Sequence, residues 1–77
     1  MHVYIYLDLD GLTENWHDDG GLVVVTDRAP LDAYNEHAAK PDAYPARPLE
    51  KLPAPDNVIK ANSITERVYV FPNAGCC

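Results

Sequence analysis

Five acidic residues in the N-terminal part of the chain are the side chains best suited to chemistry. They are Asp8, Asp10, Glu14, Asp18 and Asp19. Carboxylate oxygens are the ligands that Ca²⁺ and Mg²⁺ prefer, and paired carboxylates can exchange protons with a substrate. The calcium-binding loop of helix–loop–helix proteins needs an oxygen ligand at every second position and a final Glu, a spacing that these acids do not have. We therefore expect a solvated acidic loop without a metal ion.

Asp8 and Asp10 follow a run of β-forming residues, in the segment VYIYLDLDGLTEN. This segment resembles the first motif of haloacid-dehalogenase-type phosphatases, a hydrophobic strand that ends in Asp-x-Asp-Gly. The resemblance implies a nucleophilic Asp8 and an acid/base Asp10 beside Mg²⁺. Leu12 stands where that family has Thr or Val, and the chain is too short for the doubly wound sheet that carries the family's other catalytic residues. A metal-dependent hydrolase using Asp8 and Asp10 remains an alternative, but we expect a protein that is not an enzyme.

The histidines and cysteines do not follow a metal-binding pattern. The three histidines lie on separate predicted elements and the two cysteines are adjacent: His2, His17, His37, Cys76 and Cys77. Zinc sites bring together ligands at short, defined spacings, which these residues lack. We expect neither a metal nor a cofactor.

The acidic charge is concentrated in the N-terminal half. The 77 residues contain twelve acidic and six basic side chains, for a net charge of -6. Residues 1–36 contain eight of the acids and a single base, Arg28. Direct nucleic-acid binding requires clustered Lys and Arg, so we do not expect it. The natural complement is a basic protein surface, although such a charge also keeps a small protein soluble.

The length of the chain sets its organisation. Residues 1–77 suffice for a single small domain, and hydrophobic residues, 47% of the total, can supply its core. No segment approaches the roughly 20 apolar residues of a membrane span. No basic residue precedes the first hydrophobic segment, as one would in a secretory leader. We therefore expect a cytoplasmic protein without a membrane partner.

Hydrophobic patterning predicts four strands. The first alternates in polarity, the second is a short apolar run, and the last two are rich in β-branched and aromatic residues. These segments are residues 2–9, 22–26, 57–63 and 66–71. Ile64 and Thr65 would join the last two strands as a hairpin, although neither residue favours a tight turn.

A helix and a proline-rich connection lie between the second and third strands. Pro30 suits the first turn of a helix over residues 30–40, with Thr26 or Asp27 as its cap. Five prolines make residues 41–55 an extended internal connection. The predicted fold is α+β, a four-stranded, mostly antiparallel sheet with one helix on one face, in the order β-β-α-β-β.

The alternation of side chains predicts which sheet face meets the helix. We expect a helix-facing set of Val3, Ile5, Leu7, Val68 and Val70. The opposite face would then carry four aromatic rings, Tyr4, Tyr6, Tyr69 and Phe71. Exposed aromatic patches are typical of interaction surfaces. Alternatively, the proline-rich connection or Trp16 covers these rings, or the face forms a self-complementary homodimer.

The combination of small size, acidity, α+β layout and no catalytic equipment resembles the anti-CRISPR proteins that bacteriophages encode. These proteins share no common signature, so the resemblance covers the whole chain and transfers no residues. It implies an inhibitor, acting in the host bacterial cytoplasm, that binds a host defence protein or ribonucleoprotein complex at a basic surface. We expect the acids to oppose its Lys and Arg, with aromatic anchors beside them. The predicted partner-binding residues are Asp8, Asp10, Glu14, Asp18, Asp19, Tyr4, Tyr6, Trp16 and Tyr69. A homo-oligomeric structural role is the alternative.

Overall fold

The predicted fold class is confirmed. The computed structural model describes residues 1–9, 12, 20–40 and 47–72. Its elements are β1 (His2–Leu9), β2 (Gly20–Thr26), α1 (Pro30–Ala38), β3 (Asn57–Lys60) and β4 (Arg67–Pro72). The four strands form one sheet in which all three pairings are antiparallel. The helix packs against β2 and β4, so the fold is α+β in the order β-β-α-β-β.

The strands are ordered β3-β1-β2-β4, which corrects the expected hairpin between the last two strands. β3 and β4 lie at opposite edges of the sheet, and residues 61–66 cross its end between them. The crossing spans three inter-strand gaps, about 14 Å at the usual strand separation, which six connecting residues can cover. Ala61 is held to Met1 on the way, through N–H···O bonds of 2.9 and 3.1 Å in the two directions.

A backbone irregularity in β1 decides which side chains reach the core. Three residue steps separate Tyr6 from Leu9, whereas only two separate their partners on β2, Leu22 and Gly20. The extra residue is a β-bulge, and it returns Leu9 to the same face as Tyr6. Both side chains are buried, while the side chain of Leu7 is 62% exposed.

The helix starts without a side-chain cap. Its N-cap residue is Ala29, and Pro30 occupies the first turn, where a missing N–H costs no hydrogen bond. The expectation that Thr26 or Asp27 caps the helix was therefore wrong. The hydroxyl of Thr26 instead accepts a bond from the backbone N–H of Arg28 and donates one to Glu66, at 3.0 and 2.6 Å.

The described part of the proline-rich connection, residues 47–55, contains neither helix nor strand, and we call it the strap. The Tyr34 hydroxyl donates to the carbonyl of Arg47. The side-chain amide of Asn35 bonds both the N–H and the C=O of Leu49, each at 2.8 Å. Leu49 and Leu52 pack against the core. The strap and the helix therefore cover the same face of the sheet.

The core lies between the sheet and this layer. Its buried side chains come from β1, β2, the helix and one residue of the β1–β2 connection: Tyr6, Leu9, Leu12, Leu22, Val24, Ala33 and Tyr34. Five of them, including Tyr6 and Tyr34, are essentially inaccessible to solvent. This cluster lies on the helix side of the sheet, and Val25 is a buried residue of the opposite face.

Candidate interaction surface

The sheet face turned away from the helix is mostly apolar. The strand registers place one residue set on this face, which we call the open face: Val3, Ile5, Val23, Val25, Asn57, Ile59, Arg67, Tyr69 and Phe71. Arg67 is its only charged member. Ile59, Tyr69 and Phe71 remain 47%, 41% and 52% exposed. Antiparallel sheets of small domains normally carry polar side chains on a solvent-facing side, so an apolar one indicates a binding surface.

Two aromatic rings stand together on the open face. The rings of Tyr69 and Phe71 stack with their centroids 6.2 Å apart and their planes inclined by 16°. Residue Gly21 pairs with Phe71, so no side chain at that position of β2 covers its ring. The guanidinium of Arg67 donates to the Tyr69 hydroxyl at 3.1 Å and holds that end of the pair in place. The aromatic pair is fixed in position yet accessible to a partner.

A shallow groove of about 470 Å³ crosses the open face beside Tyr69. Valines from β1 and β2 form its floor, and Ile64 forms part of its wall. Ser63 turns the chain at this point with a φ of 61°, in the left-handed region that few residues other than glycine adopt. The turn brings Ile64 to the groove, where its side chain is 42% exposed. The groove has the shape and polarity to accept an apolar side chain of a partner.

The structure divides the four aromatics that were expected to share one face. Tyr69 and Phe71 are on the open face, as predicted. Tyr6 was assigned wrongly: it is 2% exposed, and burial raises the pKa of its hydroxyl. Tyr4 lies on the same side as Tyr6 and packs against the core. Neither ring is therefore available as a partner-binding anchor on the open face.

The set of residues predicted to face the helix is also correct for β4 and wrong for β1. Val68 and Val70 pack against the core, as expected. Val3, Ile5 and Leu7 do not belong with them, because Val3 and Ile5 lie on the open face and Leu7 is exposed beside the bulge. The alternation predicted for β4 is correct, whereas that of β1 holds only as far as the bulge after Tyr6 and has its two sides exchanged.

The predicted acidic loop cannot be placed. Asp8 belongs to β1. Asp10, Glu14, Trp16, Asp18 and Asp19 lie outside the described residues. The partner-binding role of these residues stays a prediction.

A second polar cluster, not found from the sequence, joins the helix to β4. Arg28 bonds Glu66 through two nitrogens, at 2.6 and 3.1 Å, and Glu36 through a third at 2.8 Å. The guanidinium, and to a smaller extent the Thr26 hydroxyl, hold the pKa of the Glu66 carboxyl below its ordinary value. Arg28 is bonded through all three of its guanidinium nitrogens, so the cluster joins the turn before the helix to the helix and to the start of β4.

The described residues offer no site for metal chemistry. Within residues 1–9, 12, 20–40 and 47–72, no three His, Cys, Asp or Glu side chains come close enough to hold a metal ion. In the same part of the chain, each buried side-chain nitrogen or oxygen has a hydrogen-bond partner. The open face is the candidate functional surface because of its exposed aromatic pair and the groove beside it.

Nor does the described part of the chain contain a helix long and apolar enough to cross a membrane.

Comparison with known proteins gives no relative. The chain matches no protein-family model, and no match was found among curated proteins or among solved structures.

Proposed function

We propose that this protein is a non-enzymatic, protein-binding inhibitor of the anti-CRISPR type, which binds a host defence complex through the open face. The observation that carries the proposal is the apolar side of the sheet with its stacked Tyr69 and Phe71. Leaving these rings in water forfeits roughly 25 cal/mol for each Å² of apolar surface that a partner could cover. Aromatic residues on a rigid strand are also typical binding anchors, because little conformational entropy is lost when they are covered.

The charge distribution supports a basic partner. Leu9 and Gly20 are paired, so the connection between them starts and ends at one place on the sheet. This connection contains four of the predicted acids, Asp10, Glu14, Asp18 and Asp19. Gly21 pairs with Phe71, so the residue that follows this connection adjoins the aromatic pair. A chain that combines an apolar patch with an excess of acidic charge is complementary to a nucleic-acid-binding surface, where Lys and Arg accompany aromatic side chains.

The proposal is tested by identifying what the protein captures from a bacterial lysate. Tagged protein would be incubated at low and at moderate salt, and the captured proteins identified by mass spectrometry. We expect a nucleic-acid-binding protein or ribonucleoprotein complex that is released as the salt concentration rises, because exposed charge pairs are screened. A captured complex that stays active in nucleic-acid binding when saturated with this protein would contradict the inhibitor role.

Substitutions separate the apolar from the electrostatic contribution to partner binding. Phe71→Ala, with its ring 52% exposed, should weaken capture at every salt concentration and leave the fold intact. Neutralising Asp18 and Asp19 with Asn should reduce the salt dependence and the association rate. The matched control neutralises two exposed acids elsewhere, Asp32→Asn with Glu50→Gln. Equal effects of the two neutralised pairs would show that only net charge matters, and would overturn the acidic-loop part of the proposal.

A further inference from the structure

The outer edge of β4 is open in the part of the chain that the structure describes. The sheet ends at β3 on one side and at β4 on the other. β3 has four residues and ends in Lys60, a residue type that discourages edge pairing. β4 has six residues, and its central segment VYVF carries no charge. An uncharged edge strand of this length is suited to pairing with a strand of another molecule.

The hydrogen bonds of Met1 establish which backbone groups of β4 face outward. Met1 and Ala61 exchange both N–H···O bonds, so the odd-numbered residues of β1 bond β3 and the even-numbered ones bond β2. The register continues this alternation through β2, so that Val23 bonds Tyr69. The N–H and C=O groups of Val68 and Val70 are therefore directed to the open edge.

Pro72 agrees with this alternation. It is even-numbered like Val68 and Val70, so the N–H that it lacks would point away from β2. A proline at this position removes no bond of the sheet and ends the edge strand. The hydrogen-bonding edge of β4 thus consists of the two valines.

We propose that two copies of this chain pair through their β4 strands, antiparallel and around a twofold axis at Tyr69, to form one eight-stranded sheet. In this register Val68 of one copy is opposite Val70 of the other. Their outward N–H and C=O groups then exchange two hydrogen bonds, and the twofold axis repeats them at the other valine pair. Every unpaired backbone group of the two valines is satisfied.

The side chains on the open face favour the same register. Tyr69 of one copy lies opposite Tyr69 of the other, and Arg67 lies opposite Phe71. Directly opposed residues in an antiparallel pair are in contact, and a guanidinium on an aromatic ring is attracted to its face. Like charges are not brought together, because the two Arg67 side chains lie at opposite ends of the paired strands. The edge is complementary to itself.

Neighbouring registers fit less well. A twofold axis normal to the sheet requires that opposed residues lie on the same face, so the axis must pass through a residue of β4. An axis at Val70 places Val68 opposite Pro72, which has no N–H, and leaves Arg67 beyond the end of the strand. An axis at Val68 places Phe71 opposite Thr65, which precedes the strand. Only the axis at Tyr69 uses both the valine edge and the aromatic pair.

The first test is the mass of the protein in solution. Sedimentation would be measured from micromolar to millimolar concentration, on a chain with Cys76→Ser and Cys77→Ser so that no disulfide can link two copies. We expect a species of twice the 8.5 kDa chain mass to accumulate as the concentration rises. A chain that stays monomeric over the whole range overturns the proposal, whatever the protein captures from a lysate.

Substitutions of opposite charge at Tyr69, which lies at the twofold axis, test the register of the β4–β4 pairing. Tyr69→Lys and Tyr69→Glu each place like charges opposite one another, and each should raise the dimer dissociation constant by roughly tenfold or more. A mixture of the two variants should dimerise again, because each Lys then opposes a Glu. The matched control is Ile59→Lys, which puts the same charge on the same face at the other edge. Dimers that resist both Tyr69 variants, or that Ile59→Lys also abolishes, would overturn pairing through β4.

Amide hydrogen exchange gives a readout independent of side chains. The N–H groups of Val68 and Val70 should exchange rapidly in dilute samples and become protected as the dimer forms. The N–H of Tyr69, bonded to β2 in the monomer, should be protected at both concentrations. Protection of Val68 and Val70 that does not change with concentration would contradict the proposal.

Discussion

Arg28 and Glu66 form a two-bond ion pair across 38 positions of the sequence. Arg28 lies in the turn before the helix, and Glu66 immediately precedes β4. The Nη2–Oε1 and Nε–Oε2 distances are 2.6 and 3.1 Å, and Thr26 adds a hydroxyl bond to the same carboxylate. The pair thus holds the end of β2, the start of the helix and the start of β4 together. Charge-assisted, bidentate geometry of this kind is stronger than a single surface contact.

The ion pair makes stability depend on pH in the acidic range. Since the folded pKa of Glu66 is below 4.5, the pair adds stability above that pH and loses it as the pH falls through the folded value. We expect Glu66→Gln to lower the unfolding midpoint near neutral pH and to have a progressively smaller effect as the pH falls below 4.5. The control is Glu50→Gln, an exposed acid on the strap. A constant difference between wild type and Glu66→Gln at all pH values would contradict this account.

The buried Tyr34 hydroxyl makes stability depend on pH in the alkaline range. Burial raises its pKa from 10.0 to about 12, although the bond to Arg47 lowers it in part. The contribution is therefore complete below pH 10 and is lost as the pH rises towards 12. We expect Tyr34→Phe to cost about 1 kcal/mol near neutral pH and to reduce the alkaline loss. Urea denaturation across this range measures both effects, and an unchanged alkaline slope would contradict the prediction. Part of the alkaline loss of stability should remain in Tyr34→Phe, because burial also raises the pKa of Tyr6.

Asn35 is expected to be the main polar attachment of the strap. Asn35→Ala removes two hydrogen bonds to Leu49 and should cost about 2 kcal/mol, offset by a few tenths because Ala favours the helix. The Leu49 amide should then exchange faster while the sheet amides remain protected. Asp32→Ala, at an exposed position of the same helix, should leave the Leu49 amide unchanged. Equal exchange rates in the two variants would show that apolar packing alone holds the strap.

Two leucines test the assignment of sheet faces. Leu12 is inaccessible to solvent, and Leu12→Ala should cost about 2–5 kcal/mol, enough to unfold much of a small domain. Leu7 is 62% exposed, and Leu7→Ala should change stability by less than about 0.5 kcal/mol. Thermal unfolding of the two variants measures the difference. Comparable losses would mean that Leu7 lies in the core, as the alternation of β1 first suggested.

The sequence predicted the fold class because its local signals agree. The period-two alternation of residues 2–9, the prolines after residue 40 and the helical residues between Pro30 and Ala38 each point to one type of element. The side of β1 could not be obtained in this way, because the set that alternates with Val3 and Ile5 includes Tyr4 and Tyr6, whose rings can also pack in a core. Because the open face and the core both carry apolar side chains, the period-two pattern shows which residues of β1 share a face. It does not show which of the two faces is turned towards the helix. The bulge that returns Leu9 to the core has no local signature.

Contacts between residues far apart in the sequence account for the other differences between the predicted and the observed structure. Residues 61–66 are as long as many hairpin loops, so their length does not show that this segment crosses the sheet. The crossing is seen in the bonds of Ala61 to Met1 and of Glu66 to Thr26. The ion pair of Arg28 could not be predicted either, because its partner Glu66 lies 38 positions away in the sequence. Tyr69 and Phe71 were placed on the correct face because they alternate with Val68 and Val70, which pack against the core. Two of the four aromatics predicted for this face therefore lie on it, while the groove beside them depends on the segment that crosses the sheet.

The strand order also has a consequence for how the chain folds during synthesis. The central pair, β1 and β2, is complete by residue 26, but the strands that flank it begin at residues 57 and 67. Until some forty further residues have been translated, the nascent hairpin has two bare edges and no completed core. At typical elongation rates this interval lasts a few seconds, which is long compared with hairpin formation. During that interval the unpaired edges of β1 and β2 are the backbone groups available to strands of other chains.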